Sequence, residues 1–420
     1  MSILKTLPLV PLALLAGYSA ANAADAVVVP VEPEPVEYVR VCDAYGAGYY
    51  YIPGTETCMR ISGYVRAEIK GGDDVYATSR DGIERDTYAW RSRATLRFHT
   101  AAETELGTLR TYIDLRSEWQ GGANWGAAGD KTSLRFAYIE LGGLRVGMDE
   151  SIFAHWTGYL GKVMNDDVLS PKGSTRTNMI SYTYNSGNGF SAIIGVEQGS
   201  GSDINGTRYN RYYDSVANQY IAERSYKLVG QQIDDYAPHV LGGLKFKQGW
   251  GAVSAVAAYD ARNEEWAGKL RLDLNVTDQF SVWVMGGYKS MDDYYKVDTS
   301  VKAFKKDYIS VVRIYNSNIG DWGGDWVVWG GGSYKFTKNT SFNFQAGYDD
   351  ERTFSAAANI SHQIVPGLTI TPEIAYTKWD SNYGYKAIYS DAGALLSSGV
   401  RNSMKGENAF QGMLRLQRSF

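Results

Sequence analysis

From Ile61 to the end of the chain, apolar residues alternate one for one with polar and charged ones, in segment after segment. The first such run sets Ile61, Gly63, Val65, Ala67 and Ile69 against Tyr64, Arg66, Glu68 and Lys70. A second sets Tyr88, Trp90, Ala94, Leu96 and Phe98 against Arg91, Arg93, Thr95 and Arg97, and a third sets Leu109, Thr111, Ile113 and Leu115 against Arg110, Tyr112, Asp114 and Arg116. A period of two belongs to strands, whose successive side chains point to opposite faces. One face is therefore apolar throughout, and the other is wet and rich in arginine. Facing lipid at mid-membrane, each arginine would cost about 2–4 kcal/mol, whereas a water-filled lumen tolerates it. The arrangement that satisfies both faces is a closed barrel in a membrane. Beyond the first residues no run of 18 apolar residues occurs, so a membrane helix is not available.

The connections give the strand count. Short ones are TAAETEL, Gly142-Gly143, NSGNG, KQGWG, NVTDQ, TKN and Val365-Pro366-Gly367. Long ones lie near residues 71–84, 118–131, 149–175, 199–237, 260–265, 290–323, 349–353 and 378–408. Short turns alternating with long loops are the layout of an up-and-down barrel. The expectation is an all-β fold, a 16-stranded antiparallel transmembrane β-barrel spanning 61–420. The last run offers Phe410, Gly412, Leu414, Leu416 and the terminal Phe420 to lipid, and Gln411, Met413, Arg415, Gln417 and Ser419 to the lumen. Arg418 breaks the apolar face and is expected to snorkel towards headgroups. Pro372 interrupts LTITPEIAY, where a missing N–H costs a ladder bond, so a bulge there or a slip of the strand limits is expected. Aromatics at 13% with 32 tyrosines, and 46 glycines, suit such a barrel better than a soluble enzyme.

Residues 1–23 read as a secretory signal, with Lys5, an apolar stretch from Leu7 to Ala16 and an Ala21-Asn22-Ala23 cleavage site. Residues 24–60 are then a periplasmic segment that begins Pro- and Glu-rich and carries Cys42 and Cys58. In an oxidising compartment these two are expected to form a disulfide, contributing about 3 kcal/mol for so short a loop.

The stretch AADAVVVPVEPEPVEYVRVCDAYGAGYYYIPGTETCMRISGYVRAEIKGGDD, with FAYIELGGLRVGMDES and the RSF ending, closely resembles the major outer-membrane porins of Brucella- and Rhizobium-type alphaproteobacteria. The resemblance covers essentially the whole chain after residue 23. It implies an integral outer-membrane, general-diffusion porin, homotrimeric, surrounded by lipid and lipopolysaccharide, whose third loop folds into the lumen and narrows it. On this sequence that loop is 149–175, with the acids Asp149, Glu150, Asp166 and Asp167. The arginine faces match the basic wall that such porins set opposite the loop.

The expected constriction is therefore Arg66, Arg91, Arg93, Arg97, Arg110, Asp114 and Arg116 facing Asp149, Glu150, Asp166 and Asp167. A transverse field between them would make polar solutes align. The alternative is that the arginines pair locally with Glu68 and Asp114 and stiffen the wall. The expected activity is passive diffusion of small hydrophilic solutes and ions. Alternatives are a sugar- or anion-specific channel, or a surface adhesin with its pore closed by loops. The four histidines are scattered, with no metal motif or nucleophile elbow, so neither an enzyme nor a cofactor is implied. A net charge of −4 argues against nucleic acid as a partner.

Overall fold

A computed structural model describes residues 40–420, apart from 77–86, 122–128, 167, 172–175, 200–203, 215, 217, 230–232, 234–235, 291–293, 298–308, 315–318, 381–387, 390–394 and 398–405. The expected signal segment and the Pro/Glu-rich stretch lie outside the described residues. Val41–Phe420 form one compact unit. Among the described residues no helix is long and apolar enough to cross a membrane; the crossing is made by strands.

The barrel strands are β1 (Cys58–Gly72), β2 (Thr87–Thr104), β3 (Gly107–Gly121), β4 (Gly129–Leu141), β5 (Leu144–Asp149), β6 (Thr177–Asn185), β7 (Phe190–Glu197) and β8 (His239–Gln248). They continue as β9 (Gly251–Asp260), β10 (Glu265–Asn275), β11 (Phe280–Lys289), β12 (Trp326–Lys335), β13 (Thr340–Asp349), β14 (Thr353–Val365), β15 (Leu368–Trp379) and β16 (Glu407–Ser419). Each pairs antiparallel with its neighbours, and β16 returns to β1 with Tyr64 opposite Ser419, closing sixteen strands into a ring without edges. Phe420 completes the seam by exchanging two backbone hydrogen bonds of 3.0 Å with Gly63.

The alternation holds in the folded wall. Phe410 is 53% exposed on the outside while the next residue, Gln411, is fully buried inside. Exposed aromatics form two girdles, as expected of a chain meeting two membrane interfaces. One, at the loop end, includes Tyr88, Trp90, Trp119, Trp266, Trp326 and Tyr348; the other, at the turn end, includes Phe190, Phe246, Trp250, Tyr334 and Phe420. Arg418, expected to snorkel towards headgroups, donates its guanidinium to the Pro366 carbonyl in the adjacent turn at the end of the barrel wall. Pro372 is also accommodated differently. The β14–β15 ladder lapses opposite Ile360 and Ser361 but keeps its register, and the irregularity falls between Gln363 and Val365, nearer the turn.

The Cys42–Cys58 disulfide is present, and Cys58 is the first residue of β1. A two-residue strand, Tyr50–Tyr51, pairs with Met59 and Cys58. Tyr49 is buried, edge-on to His99 at 6.4 Å with Arg60 over its ring at 5.0 Å. The small loop thus rests against the inner wall at the turn end. At the loop end, strands Ile204–Asp214, Gln219–Val229, Tyr294–Val297 and Ile309–Ile314 form a separate four-stranded sheet.

Candidate pore constriction

β5 has 6 residues where β3 has 15, so the chain leaves the wall part-way up, at Asp149, and turns inward. Ser151 starts the short helix α1 (Ile152–His155), its hydroxyl accepting from the Phe153 amide at 3.2 Å. The Ile152 amide donates to the buried Glu197 carboxylate on β7 at 2.6 Å. Burial holds the His155 imidazole below its ordinary pKa, while its Nδ1 lies 2.9 Å from the Ser151 carbonyl oxygen.

Beyond α1 the loop is fastened along one half of the inner wall by side chains whose partners are loop backbone. Gln345 accepts from the Gly161 amide at 2.9 Å, and Asn359 donates to the Lys162 carbonyl at 2.9 Å. Glu373 accepts from the Asn165 amide at 2.7 Å and from its side chain at 2.8 Å. Trp329 donates to the Leu169 carbonyl at 2.9 Å, and Lys269 to that of Pro171 at 2.7 Å. Ile152, Phe153, Trp156, Leu160 and Leu169 form an apolar core there with Met285, Trp322 and Trp329. The wall makes room for it: a Cβ on Gly195 or Gly243 would collide with Ile152 or Trp156.

The other half carries the arginines. Strand register puts Arg66, Arg93, Glu118 and Lys131 in one cross-strand row, Tyr64, Thr95, Arg116 and Ser133 in the next, and Arg97 with Asp114 in a third. Glu68, buried, receives both Arg91 and Arg415. Arg93 pairs with Glu118 at 2.7 Å and Arg97 with Asp114 at 2.9 Å. The Tyr64 ring lies between the guanidiniums of Arg66, at 4.6 Å, and Arg97, at 5.6 Å. A recess of about 250 Å³ lined by Glu68, Lys70, Asp74, Tyr76, Arg91 and Gln120 opens at the loop end of this wall.

The structure thus brings Arg66, Arg91, Arg93, Arg97, Asp114 and Arg116 onto one lumen surface. Arg110 is lower, at the turn end, 5.8 Å from the Tyr45 ring. Asp149 is held by Arg145 at the loop's start, Glu150 and Asp166 are half-buried in the loop, and Asp167 lies outside the described residues. Sequence reasoning missed Glu118, which the strand includes because β3 runs to Gly121, and also Arg135 and Arg176. Arg415 was placed on the lumen face, but its shared claim on Glu68 appears only once β16 is in register with β1.

A ring of antiparallel strands, apolar and girdled outside, charged inside and narrowed by its own chain, is a transmembrane pore protein. A family model described as a porin subfamily matches residues 25–413. The chain is 46% identical to porin Omp2b of Brucella suis over 99% of its own length and 100% of that protein's. It is 45% identical to porin Omp2b of Brucella abortus, with 99% of each chain covered. The solved outer-membrane channel DcaP of Acinetobacter baumannii shares the fold, with a TM-score of 0.55 at 14% identity over 88% of this chain and 99% of that one. The chain belongs to the porin family. It is an integral protein of the outer membrane and a diffusion channel for small solutes and ions, a transport protein rather than an enzyme.

Proposed function

We propose that the channel narrows between the arginine surface of β1–β4 and the inward loop 149–175, and that the charge separation across this gap orients permeating solutes. The observation that carries the reading is the one-sided seating of the loop. Between Ile152 and Pro171 its hydrogen bonds go to β7 and β10–β15, while the arginines stand on β1–β4 and β16. Because Glu68, Asp114 and Glu118 offset part of the positive charge, the net field is weaker than an unpaired arginine set would give.

The reading is tested by reversal potentials in planar bilayers. Replacing Arg91 and Arg93 by Gln should raise cation preference, and replacing Asp166 and Asp167 by Asn should lower it. Both shifts should fade as salt rises, since the Debye length falls from about 10 Å at 0.1 M to about 3 Å at 1 M. Unchanged reversal potentials at low salt in both variants would remove these residues from the constriction.

The channel is further proposed to be a homotrimer in lipid and lipopolysaccharide. Two hydroxyl pairs on the outward faces of β2–β4 support a protein neighbour there: Thr100 with Thr111, and Ser117 with Thr132 at 3.0 Å. Lipid offers such groups no further partner. The Trp-containing loop GGANWGAAGDK, open to reading either as a latch over a neighbouring rim or as a solvated loop, lies mostly outside the described residues. An oligomer on an unheated detergent gel, collapsing on boiling, is the expected result; a stable monomer by light scattering in mild detergent would refute it.

A further inference from the structure

We infer that Arg116, Arg135 and Arg176 form a binding site for a tetrahedral oxyanion, inorganic phosphate or the phosphate group of a monoester, on the path of permeating solutes. This rests on reading the arginine surface as pore lining. Around these three, the rule on the wall is pairing: Arg91, Arg93, Arg97 and Arg145 each hold a carboxylate. Arg116 and Arg135 do not. Among the described residues neither makes an ion pair, and the Nε atoms of both are buried without a hydrogen-bond partner. Among the described residues the polar contact of Arg176 is Nη1 to the Leu134 carbonyl at 3.0 Å.

The backbone brings the three together. A register shift opposite Asp114 and Leu115 leaves Arg135 as an extra residue between Leu134 and Phe136, and such bulges re-aim a side chain. Arg116 stands opposite Ser133 on the same strand pair. Arg176 comes from the far end of the inward loop, one residue before β6, and reaches back to β4 above the point where β5 ends. Arg116 is thus opposite a residue two positions before Arg135, and Arg176 bonds the carbonyl of the residue next to Arg135. The nearest acids, Asp114 and Glu118, flank Arg116 on its own strand but are engaged by Arg97 and Arg93, so a bound anion is needed to join the three guanidiniums directly. Guanidinium forks match the paired oxygens of phosphate, and several of them favour a dianion over chloride. A purely stiffening role would call for the acid partners that the neighbouring arginines have.

The probe is inorganic phosphate added to one side of wild-type channels in potassium chloride at pH 8. Chloride current should fall with phosphate and reach a plateau. In Arg116→Gln/Arg135→Gln the half-saturating concentration should rise about tenfold or more, since at least two charge-assisted bonds are lost. Arg116→Lys/Arg135→Lys keeps the charge but loses the fork, so it should fall between the two. Correct assembly is checked by heat-modifiable gel migration, and the Lys pair decides if the Gln pair does not assemble. A phosphate effect that never saturates, or that is unchanged in the Lys and Gln pairs alike, overturns the site while leaving the channel intact. Absence of any potassium chloride conductance in the wild type would instead overturn the pore reading.

Discussion

Removing the Glu373 carboxylate should release the middle of the inward loop while leaving the barrel assembled. Glu373 on β15 is buried and accepts from the Asn165 amide at 2.7 Å, the Asn165 side chain at 2.8 Å and Asn359 at 2.9 Å, and it also accepts from the Met164 amide. In Glu373→Ala the two loop amides lose their acceptor, at about 1–3 kcal/mol for each donor left unsatisfied. The loop borders the pore, so water can replace part of the loss. The low half of the range then applies, about 2–4 kcal/mol in all. At about 1.4 kcal/mol per factor of ten, local detachment becomes about 30- to 1,000-fold more frequent. Amide hydrogen exchange reads this directly. The Gly161 amide, bonded to Gln345 and not to Glu373, should lose protection together with Met164 and Asn165, while β14 and β15 keep theirs. Glu373→Gln retains one acceptor oxygen and should show a smaller effect. Single-channel currents should become noisier in the same order. If Gly161 keeps wild-type protection in an assembled Glu373→Ala barrel, the loop is held by its apolar core and the carboxylate is incidental.

Three further outcomes are expected. Replacing Cys42 and Cys58 by Ser should loosen the segment before β1 by about 3 kcal/mol while strand content by circular dichroism stays nearly unchanged. Protein with free native thiols by mass mapping would contradict the bond. Burial holds the His155 pKa below the ordinary 6.5, so the seating of α1 is fully stable above that value and weakens as pH falls through it, because the unfolded imidazole protonates first. Current noise should therefore rise between neutral pH and pH 5, and His155→Gln should flatten the dependence; an unaltered slope would rule out this histidine. Pro372→Val restores an N–H where the β14–β15 ladder lapses and should raise the unfolding midpoint, by about 0.5–1.5 kcal/mol of stability.

The barrel was legible because a membrane enforces alternation with little tolerance. Every outward Ile, Leu or Trp in β1–β3 had to fall on one parity, so the faces could be assigned from residue types alone. The glycine-rich strands were different. Gly243 on β8 has no preference for lipid or water, and what fixes its phase is Trp156, a residue of the inward loop nearly ninety positions earlier. No local pattern carries that. Pro372 misled for a related reason: the missing donor suggested a bulge, but the ladder absorbs it as a gap without changing register.

The charged surface shows where parity stops being informative. Alternation placed Arg91, Arg93, Arg97 and Arg116 on the wet face, and all are there. Whether an arginine is free depends instead on what lies directly across from it, and that follows from register. Arg93 stands opposite Glu118, two residues past the strand limit that composition suggested, and so is neutralised. Arg116 stands opposite Thr95 and Ser133 and is not. A shift of β2 against β3 by two residues would keep every side chain on its face yet set Arg93 opposite Arg116 or Gln120 instead of Glu118. Strand parity therefore fixes the wet surface, while the turn Glu105–Leu106, by setting the register of β2 against β3, decides that Arg93 is neutralised and Arg116 is not.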